Sequence, residues 1–270
     1  MIVSGAAEKK ARIELLPSDF WRETSYQRFP GGHKKLVLLA QIILQRFTNR
    51  PRVLDVGCGN GALAFPMAVL GCEVIGVDND VRSINGCKER HQFPNAHFIC
   101  TDGTLAGVTG VFDLIVCSEV LEHVVEPAQL VAEMRSKLAP KGLIFVTIPN
   151  GYGLREIGGR VEEVLRCWGL DRLLKSLRRR AGMPSAEEKY EMHTSNPEQG
   201  HIQKFTRRKI LDLLEAEGLE IVDWRNSFVI LSVFHCQSGG SFVERLDSWV
   251  ADHLPAAFAS GWFLTVTRRV

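Results

Sequence analysis

Residues 53–61 read VLDVGCGNG. A short apolar run carries one acid, Asp55, and is followed at once by Gly57, Gly59 and Gly61. Such a run is how a strand buried on both faces of a parallel sheet reads. Glycines at alternate positions permit a tight turn and let backbone approach a ligand closely. Residues 62–70 then have helical apolar spacing, so the turn delivers the chain to a helix N-terminus, where exposed amides suit an anionic group. The spacing is G-x-G-x-G with an acid two residues ahead of the first glycine. It differs from the G-x-G-x-x-G turn that packs a pyrophosphate in dinucleotide folds. An acid aimed at that place suits a cationic ligand group.

The pattern repeats outward from this turn. Residues 52–56 (RVLDV), 73–77 (EVIGV), 97–100 (HFIC), 112–117 (FDLIVC) and 142–148 (GLIFVTI) are each of strand length and mostly continuously apolar. Residues 62–70, 81–90 and 127–138 between them have helical apolar spacing. Strands alternating with helices indicate βαβ units and a doubly wound α/β fold with a mostly parallel sheet. The pattern lapses after Pro149. It resumes with a helix over 206–217, stopped by Gly218, and a strand over 219–225. Residues 228–236 fit strand or helix, 242–253 fit a helix, and 262–268 read as a last strand, expected to close the sheet as an antiparallel edge. On the N-terminal side, 32–47 read as an amphipathic helix that caps the sheet or covers the ligand.

Composition is that of an ordinary globular chain, and 270 residues are enough to bury one substantial core. Thirty-three Lys and Arg against 31 Asp and Glu give no electrostatic case for a nucleic-acid partner. The seven cysteines include no C-x-x-C pair and are expected to be reduced thiols in a cytoplasmic protein. The N-terminal residues lack the apolar core of a signal peptide, and no apolar run has the length to span a bilayer.

Two more acids fall where ligands bind in open α/β sheets, outside the carboxyl ends of strands. Asp78 ends the second strand, where an acid can accept hydrogen bonds from ribose hydroxyls. Its alternative role is a helix N-cap, which Asn79 and Asp80 could also fill; Asn79 is carried as a cofactor-side candidate as well. Asp102 follows the third strand. It could accept a bond from an adenine amine, or simply make a turn before Gly103.

Taken in order, VLDVGCGNG, VIGVDND, TDG, FDLIVCSEVLEHV and LAPKGLIFVTIPNG resemble the class I S-adenosylmethionine-dependent methyltransferases, and most of all the branch of ubiquinone-biosynthesis O-methyltransferases. The likeness is good over 51–151 and moderate over 200–218. It implies a Rossmann-like, seven-stranded sheet with an antiparallel C-terminal strand and a helical insertion. It also implies four segments: an N-terminal helical cap over 1–50, the S-adenosylmethionine-binding core over 51–150, a helical insertion or lid over 151–200, and the remainder of the same domain over 201–270. Carried over, Gly57 and Gly59 contact the methionine part of S-adenosylmethionine, with Gly61 completing the turn. Asp78 meets the ribose, and Asp102 with Gly103 the adenine. Ser118 and Glu119 border the methyl group, and Asp55 holds the loop.

In SEVLEHV, Glu119, Glu122 and His123 have the i, i+3, i+4 spacing of one helical face, so all three could converge, and His201 of GHIQKFTRR could join them. Two carboxylates and two imidazoles can bind a divalent metal; the metal-dependent small-RNA 2′-O-methyltransferases have a similar pattern. Metal-free members of the class share E-V-L-E-H, so no metal ligand is assigned. With Glu119 facing the cofactor pocket and Glu122 structural, His123 and His201 are taken as candidate general bases for a hydroxyl acceptor, plain packing or capping being the alternative for His123. His33, with Lys34 beside it, could meet the cofactor or substrate from the N-terminal helix or simply be a solvated helix start, and Asn150 and Tyr152 could line the substrate entrance or form a plain turn.

Residues 161–182 carry an apolar stripe and a run of arginines. The stripe can pack on the domain as a lid, or the segment can lie on an anionic membrane. The function expected is O-methylation of a small-molecule acceptor, lipid- or sugar-linked among the options. N-methylation, metal-dependent RNA 2′-O-methylation and a noncatalytic cofactor-binding subunit are the alternatives.

Overall fold

The computed structural model describes residues 16–24, 31–90, 93–153, 201–229 and 242–269. Seven strands form one sheet: β1 (Arg52–Val56), β2 (Glu73–Asp78), β3 (Ala96–Cys100), β4 (Phe112–Ser118), β5 (Leu138–Pro149), β6 (Leu219–Asn226) and β7 (Gly261–Arg268). Their order is β3-β2-β1-β4-β5-β7-β6. β1 pairs in parallel with both β2 and β4, and β7 runs antiparallel to both its neighbours. The strand order reverses at β1/β4, which opens a crevice at the carboxyl ends of these two strands.

The described helices are α1 (Ser18–Arg22), α2 (Gly32–Arg46), α3 (Ala64–Val69), α4 (Val81–Glu89), α5 (Pro127–Ser136), α6 (Arg207–Ala216) and α7 (Phe242–His253). Local chemistry explains several boundaries. Asp80 caps α4 by accepting from the amides of Arg82 and Ser83, and Thr206 caps α6 by accepting from Lys209. Pro127 opens α5, where a missing N–H costs nothing. Gly218, at φ 65°, ends the turn after α6.

Alternate strand residues feed two cores. Val53, Val74, Leu114, Val116 and Phe145 pack with α1–α4, through Phe20, Leu36, Leu39, Ala40, Ile43, Phe65 and Ile84. Leu54, Val56, Ile115, Cys117, Ile144 and Val146 face α5 and α6, through Val131, Met134, Ile210 and Leu214. The sheet is thus covered on both faces, as continuous apolar strands require.

One expectation is corrected. β7 is antiparallel, but it is not the edge: it lies between β5 and β6, and β6 is the edge. Trp262–Val266 are buried, whereas β6 carries Glu220 and Arg225 exposed to solvent. Helix α3 also starts two residues later than expected, because 57–63 are all spent on the turn. The expected helix over 161–179, its arginines, most of the 151–200 insertion, residues 230–236, Cys167 and Cys236 lie outside the described residues. Among the described residues no helix is long and apolar enough to cross a membrane.

Candidate functional site

The glycine turn is built as its residue types require. Gly57, Gly59 and Gly61 all have positive φ, at 68°, 50° and 80°, the region that favours residues without a Cβ. Their surroundings differ. A Cβ on Gly57 would collide with Val120 Cγ2, and one on Gly61 would run into the ring of Phe65, whereas one on Gly59 would meet nothing within 4 Å. A side chain at Gly57 or Gly61 would collide with its neighbours, whereas the space a Gly59 side chain would take is open.

Asp78 holds this turn. Its Oδ2 accepts from the Gly59 amide at 2.8 Å, and its Oδ1 from the Asp80 amide at 2.9 Å. It is not the cap of α4; Asp80 is. A carboxylate has about four acceptor positions, so two amide bonds leave capacity for hydroxyl donors. Asn79 is exposed beside it. Across the crevice, Asp102 Oδ1 accepts from the amide and hydroxyl of Thr104 at 3.1 and 2.7 Å. These bonds draw its carboxyl below the usual carboxylate range. The turn role is thus real, and it fixes the carboxylate next to Gly103, where a Cβ would again meet nothing.

Asp55, at the carboxyl end of β1, is buried, and its Oδ2 has no hydrogen-bond partner among the described residues. Burial, then the neighbouring Asp78 charge, raises its pKa from 3.8 to about 8, with Lys35 opposing. A buried carboxyl with an unmet oxygen is suited to receive a cationic group.

The β4 end carries a buried polar network. Lys35 Nζ of α2 donates to Ser118 Oγ at 2.8 Å and to Glu119 Oε1 at 3.3 Å. Thr147 of β5 donates to Glu119 Oε1 at 2.8 Å and lies 2.9 Å from Ser118 Oγ. Lys35 and Thr147 escaped the sequence reading. Lys35 had a visible signal: with Gly32, Leu36, Leu39, Ala40 and Ile43 it occupies the buried stripe of α2, and a lysine on an apolar stripe needs a buried partner. Lys34 points elsewhere, bonding Asp252 Oδ1 at 2.7 Å and the Asn226 carbonyl at 2.8 Å. It ties α2 to β6 and α7.

Glu119 does not join Glu122 and His123 on one helical face. Its φ is 56°, and a single 3₁₀ turn, Leu121–His123, follows it instead of an α-helix. The four-residue convergence that the spacing allowed therefore reduces to three. Ligand atoms of Glu122, His123 and His201 all lie within 4.8 Å of one another. The rings of His123 and His201 meet edge to face, 5.0 Å between centroids. Backbone bonds make the meeting: the amides of Ile202 and Gln203 donate to the Glu122 carbonyl at 2.9 and 3.0 Å. Burial, first of all, and the Glu119 charge push the Glu122 carboxyl well up from its ordinary value.

The other candidates make the following contacts. His33 stacks on Trp21, 4.7 Å between ring centroids. Asn150 is a buried anchor: its Nδ2 donates to the carbonyls of Ala257 and Ala259, and its Oδ1 accepts from the Tyr152 amide. These bonds hold the β5 exit against the residues before β7. Tyr152 is exposed. The amide of Gly151 donates to the carbonyl of Phe205 at 3.0 Å, so the chain leaves after β5 and returns before α6 at the same place. Cys58, Cys72, Cys87 and Cys117 are buried free thiols whose pKa burial raises.

An open α/β sheet with a glycine turn, an acid at the β2 end and a polar network at the β4 end defines a nucleotide-type ligand crevice. A model of the methyltransferase domain matches residues 27–223, well over half of the chain, and the chain belongs to that family. A ubiquinone biosynthesis O-methyltransferase of Mesorhizobium japonicum is 33% identical over 175 residues, 57% of this chain and 69% of that protein. The chain spans only 41–44% of the length of further relatives with the same name. Two solved structures share the fold at low identity. The [4+2]-cyclase SpnF has a TM-score of 0.55 at 18% identity, over 88% of this chain and 82% of that one. The magnesium protoporphyrin IX methyltransferase of Synechocystis PCC 6803 has a TM-score of 0.53 at 16% identity, over 98% and 95%.

Proposed function

We propose that this protein is an S-adenosylmethionine-dependent methyltransferase that methylates an oxygen of a small-molecule acceptor. The observation that carries the reading is the pairing of Asp78 with the Gly59 amide at the mouth of the β1–β4 crevice. It places a carboxylate with spare acceptor capacity beside a turn where the space a Gly59 side chain would take is open. The fit extends along the crevice. Asp78 and Asn79 would take the ribose hydroxyls, Asp102 with Gly103 the adenine, and Gly57 and Gly59 the methionine backbone. Asp55, with its unmet buried oxygen, suits an ammonium group. Ser118 and Glu119 would border the reacting centre, held in place by Lys35 and Thr147.

When bound, S-adenosylmethionine supplies a sulfonium methyl group as the electrophile. The chain's own share is alignment and exclusion of water, and holding reactants in line contributes roughly 7–11 kcal/mol to such reactions. A hydroxyl acceptor must also lose a proton, and His123 or His201, whose rings stand 5.0 Å apart, is the base proposed to take it. The shared name of the curated relatives supports oxygen over nitrogen. A lipid- or sugar-linked acceptor is the finer form of the reading.

The fold alone would not decide the matter, since a cyclase shares it. The test is isothermal calorimetry with S-adenosylmethionine and S-adenosylhomocysteine, followed by transfer of labelled methyl to a panel of hydroxylated acceptors. Saturable binding with transfer to oxygen is expected. Absence of binding would refute the cofactor assignment, and transfer to nitrogen alone would refute the acceptor class.

A further inference from the structure

Helix α7 is amphipathic in the opposite sense to a helix whose outer face meets only water. Toward the domain it turns Glu244, Asp247 and Ala251, all buried. Asp247, at 1% exposure, is held there by the Val229 amide, 3.2 Å from each of its oxygens. Toward solvent it turns Phe242, Leu246 and Trp249, which are 72%, 42% and 59% exposed. These three have the i, i+4, i+7 spacing of one helical stripe. His253 packs its ring on Trp249, 4.3 Å between centroids. Just past the helix, Phe258 in the turn Ala256–Phe258 is exposed as well. Acids are ordinarily the outer residues of a helix and aromatics the inner ones. A continuous apolar stripe turned to solvent marks a surface that another molecule covers.

We propose that α7 is the contact face of a homodimer, packed antiparallel against α7 of a second copy about a two-fold axis. The charges select this occupant. Arg245 and Asp252 are both exposed. They are seven residues apart, so they share one flank of the stripe. In an antiparallel two-fold pair a flank meets the same flank of the partner, run in reverse. With the axis between Ser248 and Trp249, Arg245 of each copy stands level with Asp252 of the other. Two ion pairs then close, roughly 10 Å apart along the helix. The same register places the apolar groups. The two Trp249 rings come together at the axis, and each Phe242 reaches the end of the partner helix, toward the turn that exposes Phe258. One acid and one base on a flank complement a copy of themselves, whereas they give no net positive charge for an anionic lipid surface to attract.

The pairing bears on the candidate site through α2. Lys34 Nζ reaches α7 at Asp252 Oδ1, 2.7 Å, and at the Ser248 carbonyl, 3.3 Å. The next residue, Lys35, holds Ser118 and Glu119. A carboxylate has about four acceptor positions, so Asp252 can take Lys34 and the partner's arginine together and brace α2 from both sides. The inference rests on the shape and charge of α7 and not on the methyltransferase reading.

The test is sedimentation equilibrium of the full chain over roughly 1–100 μM. A reversible monomer–dimer equilibrium is expected. Trp249→Glu and Leu246→Glu, both on the exposed stripe, should each weaken it roughly tenfold or more, with the far-UV circular dichroism of wild type. Arg245→Glu and Asp252→Arg should each weaken it by a similar factor, because each sets like charges opposite one another twice. An equimolar mixture of these two should restore the dimer, since a mixed pair regains both opposite-charge contacts. A monomer at every concentration overturns the proposal, as does a dimer indifferent to Trp249→Glu and Leu246→Glu, or a mixture of the folded charge variants that stays monomeric. Monomeric wild type that sediments with phosphatidylglycerol vesicles, and loses that binding in Trp249→Glu, also overturns it and gives the face to a membrane. Sedimentation is read without cofactor or turnover, so its failure and that of the methyltransferase reading are separate.

Discussion

Asp78 and Gly59 are joined across two strands: the carboxylate at the end of β2 receives the amide from the turn after β1, at 2.8 Å. The bond does two things at once. It braces a turn of three left-handed glycines, and it fixes the carboxylate at the rim of the crevice. Removing the side chain should therefore harm both turn and ligand. Asp78→Ala is expected to weaken S-adenosylmethionine binding more than tenfold, about 1.4 kcal/mol or beyond. Calorimetry decides it, and unchanged affinity would remove Asp78 from the ribose site.

The glycines should separate by mutation. Gly59→Ala forces a Cβ into the left-handed region, at a cost of about 1–2 kcal/mol, but meets no atom. It should fold, melt only a few degrees lower, and lose ligand affinity because the methyl group occupies ligand space. Gly57→Ala adds a collision with Val120, and overpacking costs about 1–3 kcal/mol more. Its melting temperature should fall well below that of Gly59→Ala. Equal melting temperatures for the two variants would refute the distinction.

The pH dependence of stability follows from Asp55. Its folded pKa, about 8, lies above the ordinary 3.8. Between those values the folded protein keeps a proton that the unfolded chain has released, so stability falls as pH rises through that window and levels off above about 8. Asp55→Asn removes this loss. The variant should gain melting temperature relative to wild type from pH 5 to pH 8, roughly 2–4 °C per kcal/mol relieved, while losing cofactor affinity. Glu122 is shifted in the same direction, so a residual slope should persist. A melting difference that does not grow with pH would refute the assignment.

The sheet core was legible because β1, β2, β4 and β5 each hold a continuous apolar run, at Val53–Leu54, Val74–Val77, Leu114–Cys117 and Leu143–Val146, as strands covered on both faces do. The turn was legible because three glycines in alternation have few other uses. The placement of β7 was missed although the signal existed: WFLTV is apolar enough for an interior strand, whereas LEIVDWRN alternates like an edge. The grouping of Glu119 with Glu122 failed for another reason. Helical spacing was assumed where the chain makes a left-handed residue and one 3₁₀ turn, and spacing has meaning only once the local structure is known. His201 could be suspected from its motif, but its place beside His123 comes from bonds between the Glu122 carbonyl and residues some eighty positions away.

Lys35 offers the sharpest electrostatic test. It is a buried cation that opposes the raised pKa of both Asp55 and Glu122. Replacing it with Met keeps most of the apolar stem and removes the charge. Both carboxyls should then hold their protons to higher pH, because an opposite charge nearby favours the ionised form. If Asp55 meets the cofactor's ammonium group, affinity should rise with pH as Asp55 ionises, and Lys35→Met should move the midpoint of that rise upward by on the order of one unit. Ser118 and Thr147 keep their mutual contact at 2.9 Å, so the β4 end should survive the change. Lys35→Arg restores the charge and should return the midpoint toward wild type even if the larger head costs some stability. The measurement is cofactor affinity by calorimetry from pH 6 to pH 9, with melting temperature as the control for folding. A lower melting temperature with an unmoved midpoint in Lys35→Met would show that Lys35 only packs, and would separate Asp55 from the charged end of the ligand.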